Sequence, residues 1–170
     1  MKKLLFVAAF LSAAYISTAQ ESVSVQQPAR AVFFELGGPG IASFNFDTRF
    51  SKREDGIGGR IGFGGFSIDQ TGAVFVPVGL NYLIGKDKKH YFELGAGFTP
   101  VFAFDNNDDG WDDNDDGTFE TTFGHLNFGY RLQPADGGFF FRAAINPVFG
   151  KGFFVPYYGG VSFGYKFGNK

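Results

Sequence analysis

Residues 41–50 read IASFNFDTRF, and from Ser43 to Phe50 polar side chains alternate with apolar or β-branched ones. The polar positions include two full charges, Asp47 and Arg49. Such alternation is typical of a β-strand that turns an apolar face to one environment and a polar face to another. The stretch therefore predicts an amphipathic strand with charged residues along one face.

The same alternation runs through most of the chain after residue 28, and clusters of Gly, Asp, Asn and Pro cut it into eight segments. We expect strands at residues 29–37, 41–50, 57–66, 73–84, 90–104, 118–132, 138–149 and 157–167. No segment combines helical periodicity with helix caps. The pattern predicts an all-β fold.

The first 19 residues have a different character. Two lysines follow Met1, an apolar stretch covers residues 4–14, and Ser17 and Ala19 are the small residues of a cleavage site. This is the three-part pattern of a secretory signal peptide, and its apolar run is shorter than the roughly 20 residues of a spanning helix. We therefore expect export with cleavage after Ala19, a short lead-in over residues 20–28 and one barrel domain over residues 29–170.

The composition narrows the possible classes of protein. The chain contains 25 Phe and 26 Gly, and this much Phe argues against disorder. It has no Cys, so a secreted domain of this size needs a source of stability other than disulfides. Its net charge of −2 argues against a nucleic-acid partner. After the signal segment no apolar run is long enough for a spanning helix, so the mature chain can cross a membrane only as strands.

Alternation alone does not say which face of a closed barrel points inward. Eight strands leave an interior that side chains just fill, and dozens of aromatic rings would overfill it. Glycines on the polar face leave room for long charged side chains. We therefore expect an eight-stranded antiparallel up-and-down transmembrane β-barrel with its aromatic face toward lipid. A soluble ligand-binding barrel with the apolar face inside is an alternative.

Two further sets of residues belong to this prediction. Aromatic side chains beside the short connections predict one interfacial girdle, made of Phe50, Tyr82, Phe92, Tyr130, Phe139 and Phe167. Toward the opposite ends of their strands lie Pro77, Pro100 and Pro147, where we expect irregular pairing because proline has no amide hydrogen to donate.

Several local motifs carry a family resemblance. Residues 81–86 read NYLIGK, residues 92–97 read FELGAG, residues 129–131 read GYR, and the last strand has aromatic residues at alternate positions from Phe163 to Phe167. In these features the chain resembles the small eight-stranded outer-membrane barrels of Gram-negative bacteria, the OmpA/OmpX size class. The resemblance covers nearly all of the mature chain. It implies an outer-membrane location, contact with membrane lipid and insertion by the barrel-insertion machinery. We also expect a monomer, and no enzymatic activity.

The predicted inner face carries a set of charges that must pair or be hydrated, because a lone buried charge is costly. These residues are Glu35, Asp47, Arg49, Arg60, Glu93, Arg131, Arg142 and Lys166. One interpretation is a structural ion-pair network that fills the barrel. The other is a narrow, gated, basic-lined pore for ions or small solutes.

The residues offer little for catalysis. The chain has two histidines, His90 beside a turn and His125 alone on an inner face. Ser162 also lies on an inner face, but no spacing pairs it with His125, and nucleophilic catalysis needs an activated pair. We expect no catalytic residues.

The most specific local motif is the loop at residues 105–117, DNNDDGWDDNDDG, with seven Asp in 13 residues. Its start matches a calcium loop, in which alternate oxygens converge on a hard cation and a glycine permits the turn. The ligands in this register are Asp105, Asn107, Asp109, Asp113 and Asp116, and a second register begins at Asp112. The motif departs from the usual pattern because Asp116 replaces the long bidentate Glu and no helices flank the loop. A solvated acidic loop without metal is the alternative, and we expect no other cofactor.

Overall fold

A computed structural model describes residues 27–68, 71–105 and 119–168. Within these ranges the chain forms eleven strands and one short 3-10 turn at Gly38–Gly40. The strands are β1 Arg30–Gly37, β2 Ala42–Arg49, β3 Gly56–Ile68, β4 Thr71–Phe75, β5 Val78–Ile84, β6 His90–Asp105, β7 Phe119–Leu132, β8 Gly138–Ile145, β9 Val148–Gly150, β10 Phe153–Val155 and β11 Gly159–Phe167. None of the described residues forms a helix that is long and apolar enough to cross a membrane.

All strand pairs are antiparallel, and each predicted segment pairs with its sequence neighbours. β1 pairs with β11 from Arg30↔Phe167 to Gly37↔Gly160. This pairing of the first strand with the last closes the sheet into a barrel. Two of the eight segments are interrupted, so that β4 with β5 and β8 with β9 each form one wall element. The short β9–β10 hairpin precedes the last wall strand. The predicted eight-stranded antiparallel barrel is confirmed.

The apolar face of the strands points outward and the polar face points into the lumen, as expected from the small interior of an eight-stranded barrel. Phe44 on the outer face of β2 is 73% exposed, whereas its neighbours Asn45 and Ser43 are buried. The six predicted girdle residues all lie on the outer wall, each between 42% and 58% exposed. Lumen-facing Glu35 is 0% exposed. The outer wall is therefore apolar and aromatic, and the charges lie inside, as a membrane-spanning barrel needs.

The three prolines fit the sheet in two ways. Pro77 and Pro147 fall in the gaps between β4 and β5 and between β8 and β9, so the prediction of irregular pairing is confirmed there. At Pro100 the irregular pairing is found on one side only: β6 continues through this residue and pairs regularly with β7, whereas its pairing with β4 and β5 is interrupted across from Val76. All three carbonyls still accept sheet hydrogen bonds, at 2.8–3.1 Å, because proline loses only its donor.

Glycine on the inner face makes room for large side chains. A Cβ at Gly164 would lie 2.5 Å from Cβ of Phe33, and a Cβ at Gly58 would lie 2.3 Å from the guanidinium carbon of Arg49. These approaches are shorter than van der Waals contact. The inward glycines therefore let rings and guanidinium groups occupy a lumen that eight strands leave narrow.

Candidate functional site

The centre of the lumen is organised around Glu35 on β1. Its carboxylate accepts hydrogen bonds from Arg60 on β3 and from Arg142 on β8, the latter at 2.5 Å. The hydroxyl of Ser162 donates to the same carboxylate at 3.3 Å. Two guanidinium groups and a hydroxyl thus offset the cost of burying one carboxylate.

Asp47 on β2 forms a second centre closer to the short connections. One of its carboxylate oxygens is 2.7 Å from guanidinium nitrogens of both Arg49 and Arg131. The side-chain amide of Asn81 donates to the other oxygen at 2.5 Å. Asn81 also accepts a hydrogen bond from Arg49, so its two polar atoms bridge this pair.

Glu93 on β6 links the two centres. It lies 3.4 Å from Arg131, which pairs with Asp47, and 3.2 Å from Arg142, which pairs with Glu35. The amide of Asn127 donates to Glu93 at 2.9 Å. The result is one continuous network across the lumen, in which each carboxylate has at least two cationic partners.

Two aromatic rings lie inside this charged region. Phe33 and Phe140 are fully buried and stack with their centroids 4.7 Å apart and an interplanar angle of 14°. Arg60 lies over the Phe33 ring at 5.3 Å, and Arg131 lies over the Phe140 ring at 4.8 Å. The rings add cation–π attraction to cations whose ion pairs are made elsewhere, and they fill space that water would otherwise occupy.

The network is closed at both ends. Toward the short connections, Glu54 from the β2–β3 turn lies 2.8 Å from the buried ammonium of Lys166 and accepts from Gln133 at 3.4 Å. At the other end the Gly38–Gly40 turn folds inward and is buried. A Cβ at Gly38 would meet the Glu35 carboxyl carbon at 2.7 Å, so only glycine lets the backbone approach this closely.

The structure brings all eight sequence-derived lumen residues together and buries every one of them. Sequence reasoning missed Glu54, because its strand parity is undefined in a turn, and it missed the Phe33–Phe140 stack. The bridging amides of Asn45, Asn81 and Asn127 were on the correct face by parity, but no pattern marked them as network members. Gln133 was placed in a connection, so its entry into the network was missed as that of Glu54 was.

Above the network the inner face becomes apolar. Ala73, Phe75 and Val101 form a buried cluster against which Ala103 and Phe123 pack. A cavity of about 230 Å³ opens beside them, between Phe75, Phe123, Phe153 and the Gly38–Gly40 turn.

The side chains considered for catalysis contact different partners and do not contact one another. His125 is 3.3 Å from the hydroxyl of Thr99, whereas the hydroxyl of Ser162 donates to Glu35. His90 contacts the phenol of Tyr130 on the outer wall, at 2.5 Å. No serine–histidine pair is formed by these residues.

The predicted calcium ligands Asn107, Asp109, Asp113 and Asp116 lie outside the described residues. For Asp105 the structure describes the backbone alone, at the end of β6. Among the described residues no group of three or more His, Cys, Asp or Glu side chains is placed to hold a metal ion. The signal segment also lies outside the described part of the chain, so its cleavage stays a prediction.

Solved structures of one protein, Ail of Yersinia pestis, resemble this chain. The backbone structure of the outer membrane protein Ail in a phospholipid bilayer nanodisc has 11% identity and a TM-score of 0.49, and covers 83% of this chain and 97% of that one. The crystal structure of Ail, the attachment invasion locus protein, in complex with the heparin analogue sucrose octasulfate has 14% identity and a TM-score of 0.42, and covers 83% of this chain and 99% of that one. A further crystal structure of Ail has 14% identity and a TM-score of 0.43, and covers 82% of this chain and 96% of that one.

No protein-family model and no curated protein matches the sequence. Similarity at this level transfers no ligand or partner from Ail to this chain. The closed antiparallel sheet, the apolar outer wall and the charged lumen are visible in the described residues themselves. By its fold, the chain is therefore a small eight-stranded β-barrel of the outer-membrane type.

Proposed function

We propose that the protein is a non-enzymatic, monomeric outer-membrane barrel that does not conduct, with a structural or surface-interaction role carried by its loops. One observation carries this proposal: the three strand-borne carboxylates of the lumen, Glu35, Asp47 and Glu93, are each paired with two cations. A pathway for ions would require these contacts to open, and breaking a buried ion pair is strongly unfavourable.

The location is tested by fractionation and gel mobility. The mature protein should separate with the outer membrane and migrate differently on a gel before and after heating. Its outer wall exposes many large apolar side chains, Phe44 and Phe63 among them, and these favour lipid over water. A protein that stays soluble without detergent would contradict the proposal and favour a ligand-binding barrel.

Conduction is tested in planar bilayers. The refolded wild-type barrel should be silent, and the double variant Glu35→Ser/Arg142→Ser should conduct, because it removes a partner pair from the centre of the network. The matched control Arg53→Ser/Asp55→Ser removes an ion pair from a turn and should stay silent. Steady wild-type conductance would instead establish a narrow pore, an alternative favoured by the excess of five cations over three carboxylates in the predicted lumen set.

We also propose that the acidic loop at residues 105–117 binds calcium on the outer side of the membrane. Its support is the ligand spacing and the seven Asp in 13 residues. Calorimetry should detect binding at micromolar to millimolar calcium, and Asp105→Ala/Asp109→Ala should abolish the heat. The control Asp87→Ala/Asp136→Ala removes the same charge from the opposite end and should bind as the wild type does.

Trp111, the only tryptophan of the chain, gives a second signal for the same test, since its fluorescence should change with calcium. Absence of heat in the wild type, or equal heat in the loop variant, would show that the loop is only a solvated acidic segment.

A further inference from the structure

Three short turns surround a polar cup at the end of the barrel away from the acidic loop. They connect β2 to β3, β5 to β6 and β7 to β8. The cup has a volume of about 470 Å³, and its wall includes the side chains of Lys52, Lys86 and Lys88. It is open to the solvent or to the membrane interface at this end, and the closed ion-pair network lies beneath it.

The charges of the cup are unbalanced once its internal pairs are counted. Arg53 pairs with Asp55 at 2.7 Å, and Glu54 pairs with the buried Lys166 at 2.8 Å. Within residues 27–68, 71–105 and 119–168, none of the three cup lysines forms an ion pair, and Asp136 is the remaining acid of the wall. The cup therefore presents a net positive field that attracts anions.

A buried hydroxyl in the same wall lacks a partner. Tyr91 is 2% exposed, and among the described residues no atom forms a hydrogen bond with its hydroxyl. Its ring packs close to Gly85, where an added Cβ would lie 2.6 Å from a ring carbon. A buried hydroxyl without a partner is unfavourable, so an oxygen acceptor that reached it from the cup would remove this cost.

Lys88 adds a backbone feature to the cup. Its φ of 57° lies in the left-handed region, which a non-glycine residue adopts only when the surrounding structure holds it there. The holding contacts come from the β7–β8 side, where the amide of Ala135 donates to the Lys88 carbonyl at 3.0 Å and that of Gln133 donates to the Lys89 carbonyl at 2.8 Å. Two of the three turns are thus joined at this point of the cup wall.

We propose that this cup binds a phosphate group. Lysine ammonium groups bind phosphate as mobile point charges, and the Tyr91 hydroxyl supplies a hydrogen bond from the wall. The phosphate belongs either to a soluble molecule or to the headgroup of a phospholipid in the adjoining leaflet. Both sources present the same oxyanion to the same side chains.

The test uses the full mature chain refolded in a maltoside detergent, which contains no phosphate. Titration with inorganic phosphate should give saturable heat. Lys88→Asn should bind at least about ten-fold more weakly, because a charge-assisted contact is lost, and Asn tolerates the left-handed backbone. The matched control is Lys89→Asn, which removes the same charge from the neighbouring position outside the cup wall and should bind normally.

Tyr91→Phe separates the site from a general attraction of anions. It removes only the hydroxyl, so heat-modified gel mobility should be unchanged while phosphate affinity falls about three- to ten-fold, as expected for one lost hydrogen bond. The proposal is overturned if the wild type shows no saturable binding, if Lys89→Asn loses as much affinity as Lys88→Asn, or if Tyr91→Phe binds like the wild type.

The two sources are distinguished by adding lipid to the micelles. Phosphatidylglycerol should weaken the apparent binding of inorganic phosphate by the wild type if a headgroup enters the cup, whereas diacylglycerol, which has no phosphate, should have no effect. Unchanged binding in the presence of phosphatidylglycerol assigns the cup to a soluble phosphate.

Discussion

The lumen has a lower half, toward the short connections, and an upper half, on the side of the Gly38–Gly40 turn. The same strands line both halves, but the two halves differ in chemistry. The inner face of β6 carries Glu93 in the lower half and Val101 in the upper half, and both side chains are buried. Below, Glu35, Asp47 and Glu93 are each held by arginines from other strands. Above, Phe75 and Val101 form an apolar cluster beside a cavity of about 230 Å³.

This difference shows that strand parity determines which side chains point inward but not what holds them there. Charges in the lower half need specific partners, because an unpaired buried charge is costly. Apolar side chains in the upper half need only contact and tolerate imperfect packing. We therefore expect the two halves to respond very differently to substitution.

The largest effect is expected for Glu35→Ala. This change leaves Arg60 and Arg142 without their shared carboxylate and should lower the free energy of unfolding by about 3–5 kcal/mol. Val101→Ala in the upper half removes two buried carbons and should cost about 2 kcal/mol, at about 0.8 kcal/mol for each carbon. Urea unfolding of the refolded barrel, followed by heat-modifiable gel mobility, measures both. Equal costs would contradict the distinction between the halves.

A smaller effect is expected from the buried rings. Phe140→Leu removes both the stack on Phe33 and the contact under Arg131, and should lower the free energy of unfolding by about 1–3 kcal/mol. Phe75→Leu in the upper half keeps an apolar side chain in the cluster with Val101 and loses a tilted ring contact with Phe66 but no contact with a cation, so its effect should be smaller. The control Phe44→Leu lies on the outer wall and tests whether any Phe→Leu change has the same cost. The distinction would not survive if all three variants unfolded at one urea concentration.

The smallest effect is expected for an ion pair outside the lumen. Arg53 donates to both carboxylate oxygens of Asp55, at 2.7 and 2.8 Å, and thereby lowers the pKa of Asp55. A lowered folded-state pKa gives stability that is present above the usual value of 3.8 and is lost as the pH falls below it.

In Asp55→Asn this acid-dependent loss should be absent, while unfolding at neutral pH should hardly change, because exposed pairs contribute little. Unfolding curves of wild type and variant across the acid range measure the difference. A neutral-pH loss as large as that of Glu35→Ala would mean that burial is not what separates these ion pairs.

The alternation from Ser43 to Phe50 was enough to predict the strand β2 and both of its faces, because each side chain in a strand points opposite to its neighbour. The same rule placed Glu93 and Arg142 in the lumen. It could not predict that Glu54 enters from a turn to reach Lys166, since a turn has no fixed parity. Alternation did not mark the interruption at residues 76 and 77 either; Pro77 marked it, because proline has no amide hydrogen to donate.

The sequence by itself thus determined the eight wall segments, their faces and the inward position of the lumen charges, because these follow from local periodicity and from the small interior of eight strands. Only the tertiary structure decided which arginine pairs with which carboxylate, that Phe33 and Phe140 stack between cations, and that Tyr91 and Lys88 share the wall of a cup. The physical reason is that the ion pairs between strands and the ring stack join segments far apart in the chain, and that the cup forms only where three separate turns meet. Their partners are chosen by barrel closure, which brings the first and last strands together.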